Sequence, residues 1–149
     1  MKLEHCLLFN ITKSAKFITR YFNNTYLSKC GVSFQQFIVL YVIHHYYLPN
    51  LTHTALILGL DRTTLSRSCK LLVKNNLIKI KDTTDKREIS YELTDFGLNI
   101  LERANKGWDK FKYDVPELIG KIKMDEIIND MQFIFEEYYK KFNSNKGVK

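Results

Sequence analysis

Residues Thr52–Asn75 read THTALILGLDRTTLSRSCKLLVKN, and the stretch divides at Gly59. Thr52 to Leu58 is a short helical run. Gly59, free to adopt positive φ, suits the turn that closes it, and Asp61 offers a carboxylate to cap a second helix. That second helix runs from about Arg62 to Asn75. Leu65, Cys69 and Leu72 form its inward stripe, while Thr63, Arg67, Lys70 and Lys74 fall on the opposite, basic face. Asn76 can take the left-handed conformation that stops it. Two helices thus meet through a tight turn, and the second presents cations outward.

Downstream, Leu77-Ile78-Lys79-Ile80-Lys81 and Ile89-Ser90-Tyr91-Glu92-Leu93 each alternate apolar and polar residues around a charged loop, Asp82 to Glu88. This is the pattern of a β-hairpin with a long tip. Thr94 then caps a helix carrying Leu101, Ala104, Trp108 and Phe111, expected to end before Pro116; a final helix, from about Asp125 to Phe142, places Ile127, Met131, Ile134, Tyr138 and Phe142 on one side. The tail from Asn143 is expected to fray. Upstream, residues 4–29 read as one amphipathic helix with Leu7, Ile11, Ile18 and Phe22 at helical spacing. Ser33 with Gln36 is a capping-box pattern opening Phe37-Ile38-Val39-Leu40-Tyr41-Val42-Ile43, apolar all round and so a buried helix, continuing through Tyr46-Tyr47 to a stop at Pro49. The fold expected is mainly α with a small β-hairpin wing: a winged helix-turn-helix whose second helix enters the major groove of DNA, flanked by N- and C-terminal helices whose broad apolar faces one small lobe cannot cover alone, and which are therefore expected to dimerise.

A chain of 149 residues is long enough to bury roughly 68–70% of the surface its unfolded form exposes, so no staple is required. The cysteines, Cys6, Cys30 and Cys69, are odd in number and never paired as C-x-x-C, which argues against a disulfide framework or zinc knuckle and for a reducing, cytoplasmic setting. No segment approaches the ~20 apolar residues of a membrane span, and Leu7-Leu8-Phe9 is broken at once by Asn10 and Lys13. The net charge of +7 is unevenly spread: residues 1–51 carry +4, residues 52–93 carry +3 and residues 94–149 are neutral. A polyanionic partner is therefore expected at the first two thirds of the chain.

The hairpin tip holds Asp85 and Arg87 together, and two readings stand. Beside a helix in the major groove the tip lies near the adjoining minor groove, where Arg87 is favoured and Asp85 holds its guanidinium extended. Alternatively the two form a surface ion pair worth about 0–1 kcal/mol on a tip that protects against edge pairing.

D-x-R on a hairpin loop followed by L-T-x-x-G, here Asp85, Arg87, Leu93, Thr94 and Gly97, resembles the signature of the MarR (multiple antibiotic resistance regulator) family of bacterial repressors. Ser33-Phe34-Gln35-Gln36-Phe37 is similar to the start of that family's second helix, Ala55 with Leu58-Gly59-Leu60 to its helix-turn, and Thr64-Leu65-Ser66-Arg67 to its recognition helix. The resemblance covers nearly the whole chain. It implies a homodimer whose terminal helices interlock, two winged lobes straddling a pseudo-palindrome, and often a small-molecule or redox signal that releases DNA. Thr54, Leu56, Ile57 and Asn76 depart from the pattern, Leu56 and Ile57 being expected to pack on the protein's own first and last helices rather than on a special partner. The first helix also resembles the organic-hydroperoxide-sensing subgroup, but Leu8 stands where a reactive cysteine would, and Cys6 lies about 200° round a helix from it.

On this reading residues 1–149 form a single domain, with dimerisation helices at 4–32 and 112–143 and a winged lobe at 33–111 whose wing is 77–93. The expected DNA-binding residues are Arg62, Thr63, Ser66, Arg67, Lys70, Lys74, Lys79, Asp85, Lys86 and Arg87, with Lys74, Lys79 and Lys86 on phosphates. An aromatic-rich interface near Tyr21, Tyr41 and His44 serves either as core or as an effector pocket. His44, His45 and His53 lack a carboxylate or cysteine at ligand spacing, so neither metal nor cofactor is expected. With no P-loop, G-x-G-x-x-G, G-x-S-x-G or H-E-x-x-H, no catalytic residue is expected. The function expected is a dimeric, sequence-specific repressor on double-stranded DNA. The alternatives are a winged-helix module for an acidic protein partner, or a regulator sensing oxidation through Cys6.

Overall fold

The computed structural model describes residues 2–46, 51–81 and 90–144. They fall into two compact units, Met1–Trp108 and Asp109–Lys149. In the first unit a single 3-10 turn, Leu3–His5, precedes α1 (Leu7–Thr25), α2 (Phe34–His45), α3 (Leu51–Ile57), α4 (Arg62–Lys74), β1 (Ile78–Lys81) and β2 (Ser90–Leu93). Helix α5 (Asp95–Ile119) begins in it, and α6 (Lys121–Ser144) belongs to the second.

The capping box forms as its residue types require. Ser33 Oγ accepts the Gln36 N–H at 3.3 Å, and Gln36 Oε1 accepts the Ser33 N–H at 2.9 Å. Asn23 Oδ1 accepts the Phe34 N–H at 2.6 Å, tying α1 to the start of α2. Phe37, Val39, Leu40 and Val42 are buried on different sides of α2, so this helix is the centre of the unit, touching α1, α4 and β2. Phe22 of α1 meets Phe34 edge-on at 5.2 Å between centroids and Trp108 of α5 at 5.9 Å. Trp108 stacks on Phe34 at 6.2 Å, and such ring pairs add about 0.5–1.5 kcal/mol each to their area burial. Strands β1 and β2 pair antiparallel, Ile78 opposite Leu93 and Lys81 opposite Ser90. The mainly α fold with a two-stranded wing is the one expected.

The element bounds differ in places, each for a local reason. The helix expected over residues 4–29 is broken at Cys6, which is extended (φ −87°, ψ 115°), because Asn10 Nδ2 donates to the carbonyls of Glu4 at 2.8 Å and Cys6 at 3.0 Å. Cys6 therefore precedes α1, and no helical angle relates it to Leu8. Of the expected stripe on α1 only Phe22 is buried; Leu7 and Ile18 are 57% and 54% exposed. Helix α2 stops at His45, with Tyr46 extended, and Pro49 lies outside the described residues. Helix α4 ends at Lys74, one residue early, and Asn76 takes φ 57° as expected.

Pro116 does not end α5. A proline removes one helical hydrogen bond without forbidding the next turn; Ile119 is the last helical residue, and the Gly120 N–H closes on the Pro116 carbonyl at 2.9 Å. Helix α6 starts at Lys121, earlier than expected, with the Met124 N–H on the Gly120 carbonyl at 3.0 Å, and it continues to Ser144. No described helix is long and apolar enough to cross a membrane.

Candidate nucleic-acid interface

The turn between α3 and α4 is built from backbone hydrogen bonds. The Gly59 N–H donates to the Leu56 carbonyl at 3.1 Å and the Leu60 N–H to the Ala55 carbonyl at 2.8 Å, the paired closure that a left-handed residue permits, with Gly59 at φ 63°. Two residues on, Asp61 accepts the Thr64 N–H at 2.9 Å and the Thr64 hydroxyl, capping α4. The Thr64 hydroxyl, then its N–H, hold the Asp61 carboxyl below the usual carboxylate range.

Helix α4 is thereby fixed in rotation. Leu65 and Leu72 are 0% exposed and Cys69 1%, and burial pushes the Cys69 thiol up to about 11, which keeps it protonated and unreactive at neutral pH. At 100° per residue, Thr63, Arg67, Lys70 and Lys74 lie opposite this stripe, and all four are exposed. Arg62 is exposed at the first helical position, and Ser66 is half-buried on the flank. Among the described residues Arg62, Arg67, Lys70 and Lys74 have no acidic partner within ion-pair distance. Lys79 on β1 differs: its Nζ lies 3.0 Å from Glu92 Oε1 across the hairpin. Asp85, Lys86 and Arg87 lie outside the described residues.

Tyr21 is 57% exposed and sets its ring edge-on to Tyr26 at 6.0 Å, whereas Tyr41 is half-buried against Phe37 at 6.1 Å and His45 at 4.3 Å. His44 is exposed, 4.7 Å from His45. Two open grooves of about 470 and 400 Å³ run along α1, and neither includes Tyr21, Tyr41 or His44. Their lining reveals a feature that sequence reading missed. Lys13 stands over the Phe9 ring at 5.8 Å and Arg20 over the Phe17 ring at 4.5 Å, a basic and aromatic stripe whose four- and three-residue spacings were available in the sequence. Leu56 and Ile57, expected to be covered, are 40% and 44% exposed.

Comparison with known proteins gives the site its context. Residues 21–104 match the family model described as transcriptional regulator SarA/Rot. The HTH-type transcriptional regulator MgrA of Staphylococcus aureus is 28% identical over 109 residues, covering 72% of this chain and 74% of that one. Among solved structures, the transcriptional repressor CouR bound to p-coumaroyl-CoA superposes with a TM-score of 0.80 at 22% identity, covering 91% of this chain and 95% of that one. The Mycobacterium tuberculosis regulator MosR in complex with DNA gives 0.75 at 23% identity, with 89% and 98% covered. A MarR/EmrR family regulator from Acinetobacter sp. ADP1 gives 0.79 at 18% identity, so the fold is that of the MarR type. The chain belongs to the SarA/Rot family of transcriptional regulators and is a DNA-binding regulator of winged helix-turn-helix build.

Proposed function

We propose that the chain is a homodimeric repressor that reads a specific double-stranded sequence through α4. The observation that carries this is the exposed face of Thr63, Arg67, Lys70 and Lys74, whose three cations have no acidic partner among the described residues, set opposite a stripe that is fully buried. Thr63, Ser66, Arg67 and Lys70, with Arg62 beside them, meet base edges or phosphates; Lys74 and Lys79 meet phosphates, which fix register without reading sequence. The wing supplies Arg87 to the minor groove, braced by Asp85, with Lys86 on the backbone; this part of the reading is supported by the D-x-R motif and the charge of the tip.

The division of labour proposed is residues 4–32 and 112–143 for dimerisation and 33–111 for DNA. Its support is apolar surface that a solitary protomer leaves wet: Leu7, Leu8 and Ile18 on α1, and Ile127, Met131, Tyr138 and Phe142 on α6. Release by a small-molecule signal is supported by CouR, whose structure holds a coenzyme A thioester. A cytoplasmic site of action follows from a DNA target.

The test is a competition assay with a duplex that the wild-type chain enriches from a random-sequence pool. Binding that survives excess unselected pool DNA and weakens steeply with salt supports the reading, because each neutralised phosphate releases counterions. Failure to enrich any sequence, with capture by acidic proteins instead, overturns it.

A further inference from the structure

The chain leaves α4 at Lys74, turns at Asn76 into the wing and returns at Leu93, and one residue joins the two ends. The Thr94 hydroxyl donates to the Asn76 carbonyl at 2.6 Å, with a longer contact of 3.3 Å to that of Leu77, and it accepts the Gly97 N–H at 2.9 Å. The Thr94 N–H also donates to the Leu77 carbonyl, at 3.1 Å, and the Leu77 N–H to that of Leu72, inside α4, at 2.9 Å. Gly97 lies against the same peptide: a Cβ placed there would stand 1.9 Å from the Leu77 oxygen, closer than any side chain permits. Capping α5 requires only that residue 94 accept a hydrogen bond from Gly97. The hydrogen bond that Thr94 donates to Asn76 does something else, since it reaches 18 residues back to the turn that follows α4.

We propose that Thr94 and Gly97 are positioning residues for DNA reading: they lock the peptide where α4 ends onto the first turn of α5, and so set the pitch at which α4 presents Arg67 and Lys70. The inference rests on α4 being the reading helix. A pitch error displaces base contacts, which need hydrogen-bond geometry, far more than phosphate contacts made by flexible cations.

Three substitutions separate this role from plain capping. Thr94→Ser keeps donor and acceptor. Thr94→Asp keeps the cap acceptor and loses the donor, and Thr94→Val loses both without adding charge. Each full-length variant is titrated, at matched folded fraction by circular dichroism, against the duplex enriched by the wild-type chain and against unselected pool DNA, with Arg67→Ala as control. The expected result is that Thr94→Val and Thr94→Asp lose about threefold to tenfold in the ratio of specific to nonspecific affinity. Thr94→Ser retains that ratio, and the salt dependence of Thr94→Val is unchanged. A wild-type ratio in Thr94→Val or Thr94→Asp while Arg67→Ala loses specificity overturns the positioning role alone. A wild-type ratio in Arg67→Ala removes α4 as the reader, and the inference with it.

Discussion

Helices α4 and α6 are both amphipathic by spacing, yet only one is covered. In α4 the stripe Leu65, Cys69 and Leu72 is almost wholly buried within its own unit. In α6 the stripe Ile127, Met131, Ile134, Tyr138 and Phe142 is mostly wet, with Met131 40% and Tyr138 67% exposed and only Ile134 half-buried among the five. Helical periodicity shows which side chains share a face, and says nothing about whether the covering surface is in the same chain. The helix that is anchored can display charge on its other side with fixed geometry. The helix whose stripe is exposed is the one to which the proposed dimer gives a partner.

Substitutions on the two stripes set the contrast in numbers. Leu72→Ala is expected to cost about 2–5 kcal/mol, read as a lowered urea midpoint, because it leaves a cavity into which the surrounding side chains relax only in part. Met131→Glu on α6 is expected to leave the far-ultraviolet circular dichroism unchanged and to shift the sedimentation coefficient from dimer to monomer at micromolar protein. A large loss of helix in Met131→Glu with the dimer intact would erase the distinction. The smallest effect concerns the cap of α4. Hydrogen bonds from Thr64 depress the folded-state pKa of Asp61, so its contribution to stability is present above the ordinary carboxylate value and is lost as pH falls through the depressed one. Asp61→Asn preserves a capping oxygen without titrating. The difference in melting temperature between the two proteins should therefore change only below about pH 4, and a change near neutral pH would assign it elsewhere.

Features whose chemistry spans three or four residues were legible in the sequence. The Ser33 and Gln36 capping box, the Gly59 turn, the Asp61 cap, the left-handed Asn76 and the two faces of α4 all depend on such short reach, and they position the candidate site. The break at Cys6 was not legible, because it depends on one amide side chain, Asn10, bonding two carbonyls behind it when an unbroken helix was equally compatible with the pattern. Pro116 is a poor guide to the end of α5, because losing one hydrogen bond does not outweigh helical residues on both sides. The second role of Thr94 was hidden for another reason. Its capping function is local, while its bond to Asn76 depends on where the hairpin returns the chain. The stripe of Lys13 and Arg20 over Phe9 and Phe17 had a visible spacing, but which ring each cation covers depends on side-chain placement that spacing alone does not give.

The claim that α4 occupies the major groove is tested most directly by methylation interference on the enriched duplex, since a methyl group at guanine N7 projects into that groove. The account predicts that methylation blocks binding in two clusters whose centres lie about 10–10.5 base pairs apart, one beneath each α4 of a dimer. Binding that ignores N7 methylation at every guanine of the site, while still selecting that site over pool DNA, would contradict it.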